Sequence, residues 1–115
     1  GHTLAHAIER ANDYTWRHGD AVAVGCCFAA RLAHARGQLS AKDVVRHDDL
    51  FSRVGLPTRY EGHTIEELTR IMLSDKKVRR GILRFVLLDG IARPSTFSVD
   101  PSELVAPAEQ IGISA

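Results

Sequence analysis

The chain has 115 residues, of which 44% are hydrophobic and 25% charged, and its formal net charge is +1. These values are typical of a single globular domain and exclude a disordered chain. The near-neutral charge argues against nucleic acid or an anionic membrane surface as a partner. The longest apolar run, residues 21–30, is too short to span a bilayer, so we expect no membrane partner of any kind.

Two helices are predicted in the first third of the chain. Apolar residues recur on one helical face over residues 1–12, and the polar stretch "NDYTW" then ends the pattern. Residues 18–36 are apolar nearly all round, which is typical of a helix surrounded by other helices. Gly37 follows at the position where a helix commonly ends in a left-handed residue.

Capping signals predict the next two helices. Ser40 with Asp43 resembles a capping box and opens a helix that continues to about Val54. Thr64 with Glu67 is a second capping box, and it opens a helix that ends near residue 73.

The last third of the chain changes to a strand pattern. Residues 82–90 are β-rich and end in Asp-Gly, a hairpin signal, and residues 91–99 form the returning strand. Pro94 places the returning strand at an edge or a bulge. Asp100 then caps a final helix with Pro101 at its first position. The predicted fold class is therefore mostly α-helical, with one small β-hairpin.

The two cysteines are adjacent, at Cys26 and Cys27, inside the apolar run. Neighbouring positions on a helix point in different directions, so the two thiols do not readily bridge each other. We expect reduced cysteines that pack in the core, which fits a reducing compartment such as the cytoplasm.

Three histidines, His2, His6 and His18, have the spacing H-x3-H-x11-H. His2 and His6 share a helix face, and the second helix begins at His18 after a turn long enough to bring it back. Spacing alone therefore predicts three imidazoles around one zinc or iron ion, completed by a carboxylate, water or substrate. The competing interpretation is a chance His-x3-His pair on an exposed helix. Glu9 is open to three interpretations: a further ligand, a carboxylate that orients a ring, or a solvated side chain, of which we favour the last.

The remaining histidines, His34, His47 and His63, are isolated in the sequence, and we expect surface or capping positions for them. A basic segment follows the fourth predicted helix. It carries five cations within nine residues: Lys76, Lys77, Arg79, Arg80 and Arg84. Such a cluster can hold a phosphate, but a solvated charge run is the commoner explanation and is favoured on this evidence alone.

Four segments, in this order, carry a resemblance to a known family: "GHTLAHAIE", "WRHGDAVAVG", "GLP" and "DKKVRRGILRFVLLDGIARP". Together they resemble the C-terminal part of 3-dehydroquinate synthase over nearly the whole chain. The resemblance implies conversion of 3-deoxy-arabino-heptulosonate 7-phosphate to 3-dehydroquinate and phosphate, in the shikimate pathway. It also implies catalytic NAD⁺ and a divalent metal, usually Zn²⁺ and otherwise an ion such as Co²⁺.

The resemblance assigns roles that differ from those predicted by spacing. His2 and His18 match metal-binding histidines, whereas His6 matches an active-site histidine assigned to proton transfer and phosphate contact. Lys76 and Lys77 match the segment whose lysine contacts the substrate phosphate, and we favour Lys76. Two positions depart from the family pattern: Ala5 stands where Gly is usual, and Asp20 stands where Glu is frequent, which leaves the role of that carboxylate open.

The resemblance further implies that residues 1–115 are a metal- and substrate-binding C-terminal domain of the dehydroquinate synthase fold. The NAD-binding domain, a third metal ligand and several phosphate-binding residues would then lie outside this chain. We accordingly expect the chain to be inactive alone, and the full-length enzyme to be a cytoplasmic homodimer that binds a small sugar-phosphate.

Two alternatives remain open. The first is a related sugar-phosphate cyclase or a metal-dependent polyol dehydrogenase, although the basic segment argues against an alcohol substrate that needs no phosphate anchor. The second is a non-catalytic helical interaction module. It predicts no zinc in the purified protein and only a modest loss of stability when His2 or His18 is replaced.

Overall fold

The computed structural model describes residues 2–74, 82–88 and 94–115. Its helices and strands, in chain order, are α1 His2–Ala11, α2 His18–Ala35, α3 Ala41–Arg53, α4 Ile65–Ser74, β1 Leu83–Leu88, β2 Pro94–Val99, a short 3₁₀ helix Pro101–Leu104 and α5 Val105–Gln110. The predicted fold class, mostly α-helical with one small β-hairpin, is confirmed. No helix among the described residues is long and apolar enough to cross a membrane.

Helix α2 lies at the centre of the molecule. Most of its side chains are buried, as its nearly uniform apolar composition predicts, and it contacts α1, α3, α5 and β1. Helix α1 is amphipathic and buries Leu4, Ala5 and Ile8 against α2 and α4. The opposite face of α1, which carries His2 and His6, is therefore left at the surface.

The hairpin closes the core from one side. Strands β1 and β2 are antiparallel, with partners running from Leu83 and Val99 to Leu88 and Pro94. The inward side chains of β1 are buried and alternate with exposed ones, as a half-buried strand requires. One inward ring, Phe85, lies 5.9 Å from Phe28 of α2. Pro94 pairs at the end of this two-stranded ladder, in agreement with its predicted edge position, and the predicted Asp-Gly turn lies outside the described residues.

The predicted caps are present. Thr64 and Glu67 bond reciprocally, at 3.0 and 3.1 Å between backbone nitrogen and side-chain oxygen. The Ser40 hydroxyl accepts the backbone N–H of Asp43 at 3.2 Å. Asp100 forms a full capping box, but the helix that it opens begins as a 3₁₀ turn before α5.

Replacing Ser40 with alanine is expected to lower the free energy of unfolding by about 1 kcal/mol, because the cap satisfies a backbone N–H at the start of α3. Urea denaturation measures the change. The matched control is Ser52→Ala, an exposed serine within the same helix, which is expected to change stability by less than about 0.5 kcal/mol. Equal losses in the two variants would contradict a capping role.

Helix α3 buries none of its residues completely, and a single ion pair links it to α2. The guanidinium of Arg31 donates two hydrogen bonds to the carboxylate of Asp48, with N–O distances of 2.9 and 2.5 Å. Asp48 also influences the nearby thiol of Cys27. Burial, followed by the contact with Asp48, raises the pKa of Cys27 to about 12. Cys27 is free and buried and Cys26 is free and half-buried, which agrees with the predicted reduced core cysteines.

The two thiols are expected to differ in reactivity. A rise of the Cys27 pKa from 9.0 to about 12 lowers its thiolate fraction about a thousandfold near pH 8. The Cys26→Ser variant, which retains only Cys27, should therefore react with a disulfide reagent far more slowly than Cys27→Ser. Both variants should react alike in denaturant, and a fast Cys27 thiol in the native state would contradict its assigned environment.

Candidate functional site

His2, His6 and His18 form one exposed patch, here called the histidine patch. The ring centroids of His2 and His6 are 5.9 Å apart, and those of His2 and His18 are 6.2 Å apart. The first pair follows from the i, i+4 spacing on α1. The second pair shows that the chain does return His18 to the start of α1, as the sequence predicts.

The chain reversal depends on residues 12–17. Asp13 and Tyr14 both adopt left-handed backbone conformations, with φ of 50° and 61°, which non-glycine residues rarely do. The side-chain amide of Asn12 donates to the carbonyl of Ile8 at 2.7 Å and so caps the end of α1. This left-handed pair turns the chain so that α2 begins beside α1.

The buried side chain of Tyr60 stabilises this chain reversal. The same Asn12 amide donates to the hydroxyl of Tyr60 at 2.7 Å, and the Tyr60 side chain is almost fully buried. The ring of Trp16 packs edge-on against Tyr60, with centroids 5.1 Å apart. The ring of His63 lies parallel to that of Tyr60, and its Nδ1 is 2.6 Å from the hydroxyl. Burial raises the pKa of Tyr60. Sequence reasoning missed these contacts, and the only signal for them was the polar break at Asn12.

Glu9 contacts the histidine patch through His18. Its Oε1 lies 3.0 Å from Nδ1 of His18, and the Glu9 side chain is only 13% exposed, compared with 61% for His18. The favoured prediction of a solvated Glu9 is therefore wrong. Folding of the α2 start onto α1 covers the carboxylate, and the interpretation in which it orients a ring fits the structure. Because Nδ1 of His18 is engaged, Nε2 is the ring nitrogen that can take a further partner.

The donor set of the histidine patch fits two ligands of a zinc-type metal. Imidazole nitrogens bind zinc at about 2.1 Å, so two rings on one ion have centroids roughly 5–6 Å apart. The His2–His18 pair needs only a small adjustment to meet this. Across residues 2–74, 82–88 and 94–115, however, no group of three or more His, Cys, Asp or Glu side chains is arranged to hold a metal ion. The structure therefore does not assemble the three-histidine metal site predicted by spacing alone, and ring distances alone do not distinguish His2–His18 from His2–His6 as a ligand pair.

The two lysines predicted to bind phosphate, Lys76 and Lys77, lie outside the described residues. The described residues next to that segment both contact α1. At one end, the Arg10 guanidinium donates to the Ser74 hydroxyl at 3.2 Å. At the other, the Thr3 hydroxyl donates to the Arg84 carbonyl at 3.2 Å. Described residues before and after that segment, Ser74 and Arg84, therefore contact the helix that carries His2 and His6.

Comparison with known proteins adds an independent line of evidence. The sequence profile of the family described as "3-dehydroquinate synthase C-terminal" matches residues 1–78. The matched range holds the histidine patch, Glu9 and the turn that joins them. The chain belongs to this family.

Two relatives illustrate the similarity. The 3-dehydroquinate synthase of Rhodococcus erythropolis is 51% identical over 107 residues, which cover 92% of this chain. That of Mycobacterium leprae is 49% identical over 106 residues, or 91% of this chain. In both cases the matched region is 29% of the relative. The chain thus spans less than a third of the 3-dehydroquinate synthases that it matches.

Solved structures support the same fold. A crystal structure of 2-deoxy-scyllo-inosose synthase, complexed with carbaglucose-6-phosphate, NAD⁺ and Co²⁺, superposes with a TM-score of 0.81 at 25% identity. The match covers 95% of this chain and 32% of that protein. A second crystal structure of a 2-deoxy-scyllo-inosose synthase superposes with a TM-score of 0.75 over 90% of this chain and 30% of that protein.

The two departures from the 3-dehydroquinate synthase pattern differ in their surroundings. Ala5 is fully buried where α1 meets the core, so its methyl group is accommodated by packing. Asp20 is half-buried in the first turn of α2, where a carboxylate interacts favourably with the helix dipole.

Proposed function

We propose that residues 1–115 form the metal- and substrate-binding C-terminal domain of a 3-dehydroquinate synthase. This enzyme would convert 3-deoxy-arabino-heptulosonate 7-phosphate to 3-dehydroquinate and phosphate. The observation that carries the proposal is the convergence of His2 and His18 within the residues matched by the family profile, with Glu9 on His18. Chance imidazoles on an exposed helix would have no reason to converge, with one of them on a carboxylate whose side chain is only 13% exposed.

His2 and His18 would hold the divalent metal, Zn²⁺ or an ion such as Co²⁺. When bound, the metal polarises the substrate hydroxyls and lowers their pKa. Both histidines are exposed, so substrate and further ligands can reach this pair without a change in the core. The Co²⁺ in the similar 2-deoxy-scyllo-inosose synthase supports a divalent ion in this fold.

His6 would transfer protons rather than bind the metal. It lies one helical turn from His2, with ring centroids 5.9 Å apart and its side chain exposed. Imidazole gains and loses a proton near neutral pH, which suits a group that moves protons beside a substrate. Its position lets it reach the same small molecule that His2 and His18 would face.

Lys76 and Lys77 would bind the substrate phosphate, with Lys76 the favoured contact. A lysine ammonium is a compact charge suited to phosphate, and described residues on both sides of the two lysines, Ser74 and Arg84, contact α1. NAD⁺ would be bound mainly by the rest of the full-length enzyme, since this chain spans 29% of its relatives. We also propose a cytoplasmic homodimer as the full-length form.

A second candidate is a related sugar-phosphate cyclase. The superposition on 2-deoxy-scyllo-inosose synthase, with a TM-score of 0.81, favours it. The sequence identity of 51% to a 3-dehydroquinate synthase, compared with 25% to the cyclase, favours the first candidate.

The full-length protein, assayed with NAD⁺, tests the proposal. We expect phosphate release and 3-dehydroquinate from 3-deoxy-arabino-heptulosonate 7-phosphate, loss of both on chelation, and recovery on addition of Zn²⁺ or Co²⁺. The 115-residue chain alone should show no turnover. Turnover of another sugar-phosphate in place of this one would favour the second candidate, and no metal dependence would contradict both.

A further inference from the structure

We propose that Glu9 is a positioning residue that fixes His18 as the Nδ1–H tautomer and so presents Nε2 as its metal-binding atom. The part concerning the metal rests on the proposed function. The part concerning the tautomer does not, since it follows from the contact between two side chains of this chain.

The tautomer follows from the chemistry of the pair. An ionised carboxylate only accepts hydrogen bonds, so the ring nitrogen that faces it must carry the hydrogen. Oε1 of Glu9 is 3.0 Å from Nδ1 of His18. In the neutral ring, Nδ1 is then the donor and Nε2 keeps its lone pair, which is the form that a metal requires.

Burial makes Glu9 the fixed partner of the two. Its side chain is 13% exposed, while the ring of His18 is 61% exposed. An exposed ring at the start of a helix would otherwise sample several rotamers, and ordering it on metal binding would cost conformational entropy. The contact with Glu9 orders the ring of His18 during folding, so that metal binding costs less conformational entropy.

The geometry of α1 explains why Glu9 can orient the ring of His18. Glu9 lies seven residues after His2 and three after His6, so all three occupy one face of α1. The left-handed pair at Asp13 and Tyr14 then returns His18 to that face. One side of a single helix thus carries a metal ligand, the proton-transfer group and the orienting carboxylate.

An alternative is that the pair only ties α1 to α2. Nuclear magnetic resonance of ¹⁵N-labelled chain, read through two-bond ¹H–¹⁵N couplings of the neutral rings, separates the two. We expect His18 to be the Nδ1–H tautomer in the wild type and in Glu9→Gln, whose amide oxygen still accepts a hydrogen bond. In Glu9→Ala it should revert to the Nε2–H form that predominates in free histidine. A wild-type Nε2–H tautomer, or no change in a folded Glu9→Ala, would overturn the inference.

Zinc titration of the same variants in the full-length protein, with a competing chelator, gives the second readout. Loss of a carboxylate that orients a ligand typically weakens metal affinity by about 10–100-fold, and we expect this for Glu9→Ala with partial rescue in Glu9→Gln. The control is Glu66→Ala, which removes an exposed glutamate paired with Arg70 on α4 and should leave both readouts unchanged.

The His18 tautomer and the zinc affinity test the positioning by Glu9 and the proposed metal site separately. If the wild-type full-length protein binds no zinc but the chain shows the Nδ1–H tautomer of His18, the proposed metal site fails and the positioning by Glu9 stands. If it binds zinc equally well with and without Glu9, the positioning role is overturned while the metal site stands.

Discussion

Replacing His6 with alanine in the full-length enzyme is expected to lower kcat by about 10²–10⁴-fold, the usual contribution of a general acid–base group. Bound zinc should stay at the wild-type level, because the proposed metal ligands are His2 and His18. The side chain of His6 is exposed, so the substitution leaves no cavity and should not alter stability. Steady-state rates, together with the zinc content of the purified variant, measure the effect.

Two comparisons sharpen this prediction. His18→Ala should lose both activity and zinc, whereas His34→Ala, which removes an exposed histidine bonded to the Leu39 carbonyl, should lose neither. If His6→Ala lost zinc as completely as His18→Ala, His6 would be a ligand. The assignment made from spacing alone would then be the correct one for that residue.

The second large effect concerns stability. Phe28→Ala is expected to lower the free energy of unfolding by about 3–5 kcal/mol, since it removes a fully buried ring. That ring packs against Phe85 and joins the central helix α2 to the hairpin. Small domains have total stabilities of only about 5–15 kcal/mol, so the variant should be close to unfolded at moderate urea concentrations.

The matched control for Phe28 is Phe97→Ala. The ring of Phe97 is half-buried on β2, and the guanidinium of Arg36 lies 5.4 Å from its centroid. Its loss removes less buried area and a partly exposed cation–π contact worth about 1 kcal/mol, so a smaller effect is expected. Comparable losses from the two variants in urea denaturation would contradict the position assigned to the core.

Most of the fold could be predicted from patterns among residues that are close together in the sequence. The amphipathic pattern of α1, the capping box at Thr64 and the alternation in β1 each depend on neighbours only a few residues apart, so they can be read from sequence. The convergence of His2 with His18 was also predictable, because a short break between two helices limits how far apart their ends can lie.

What the sequence did not reveal depends on contacts between distant residues. The burial of Glu9 arises only when α2 folds back onto α1, and no pattern around residue 9 marks it. The left-handed conformation of Tyr14 is similar, because tyrosine has no local preference for it. The link from Asn12 to Tyr60 joins residues 48 positions apart. The roles of His2, His6, His18, Lys76 and Lys77 came from the family resemblance, and they stay predictions.

Because the histidine patch is exposed, water weakens the electrostatic interactions that its side chains can make. Two unit charges about 4 Å apart interact by only about 1 kcal/mol in bulk water and by about 4 kcal/mol at the effective dielectric constant of a protein surface. With its side chain 61% exposed, His18 lies nearer the first condition. Any electrostatic stabilisation of a reacting hydroxyl at this patch therefore grows several-fold as water is displaced. In the proposed function the three imidazoles supply groups for the chemistry, and the dielectric environment around bound substrate would set how far they accelerate it.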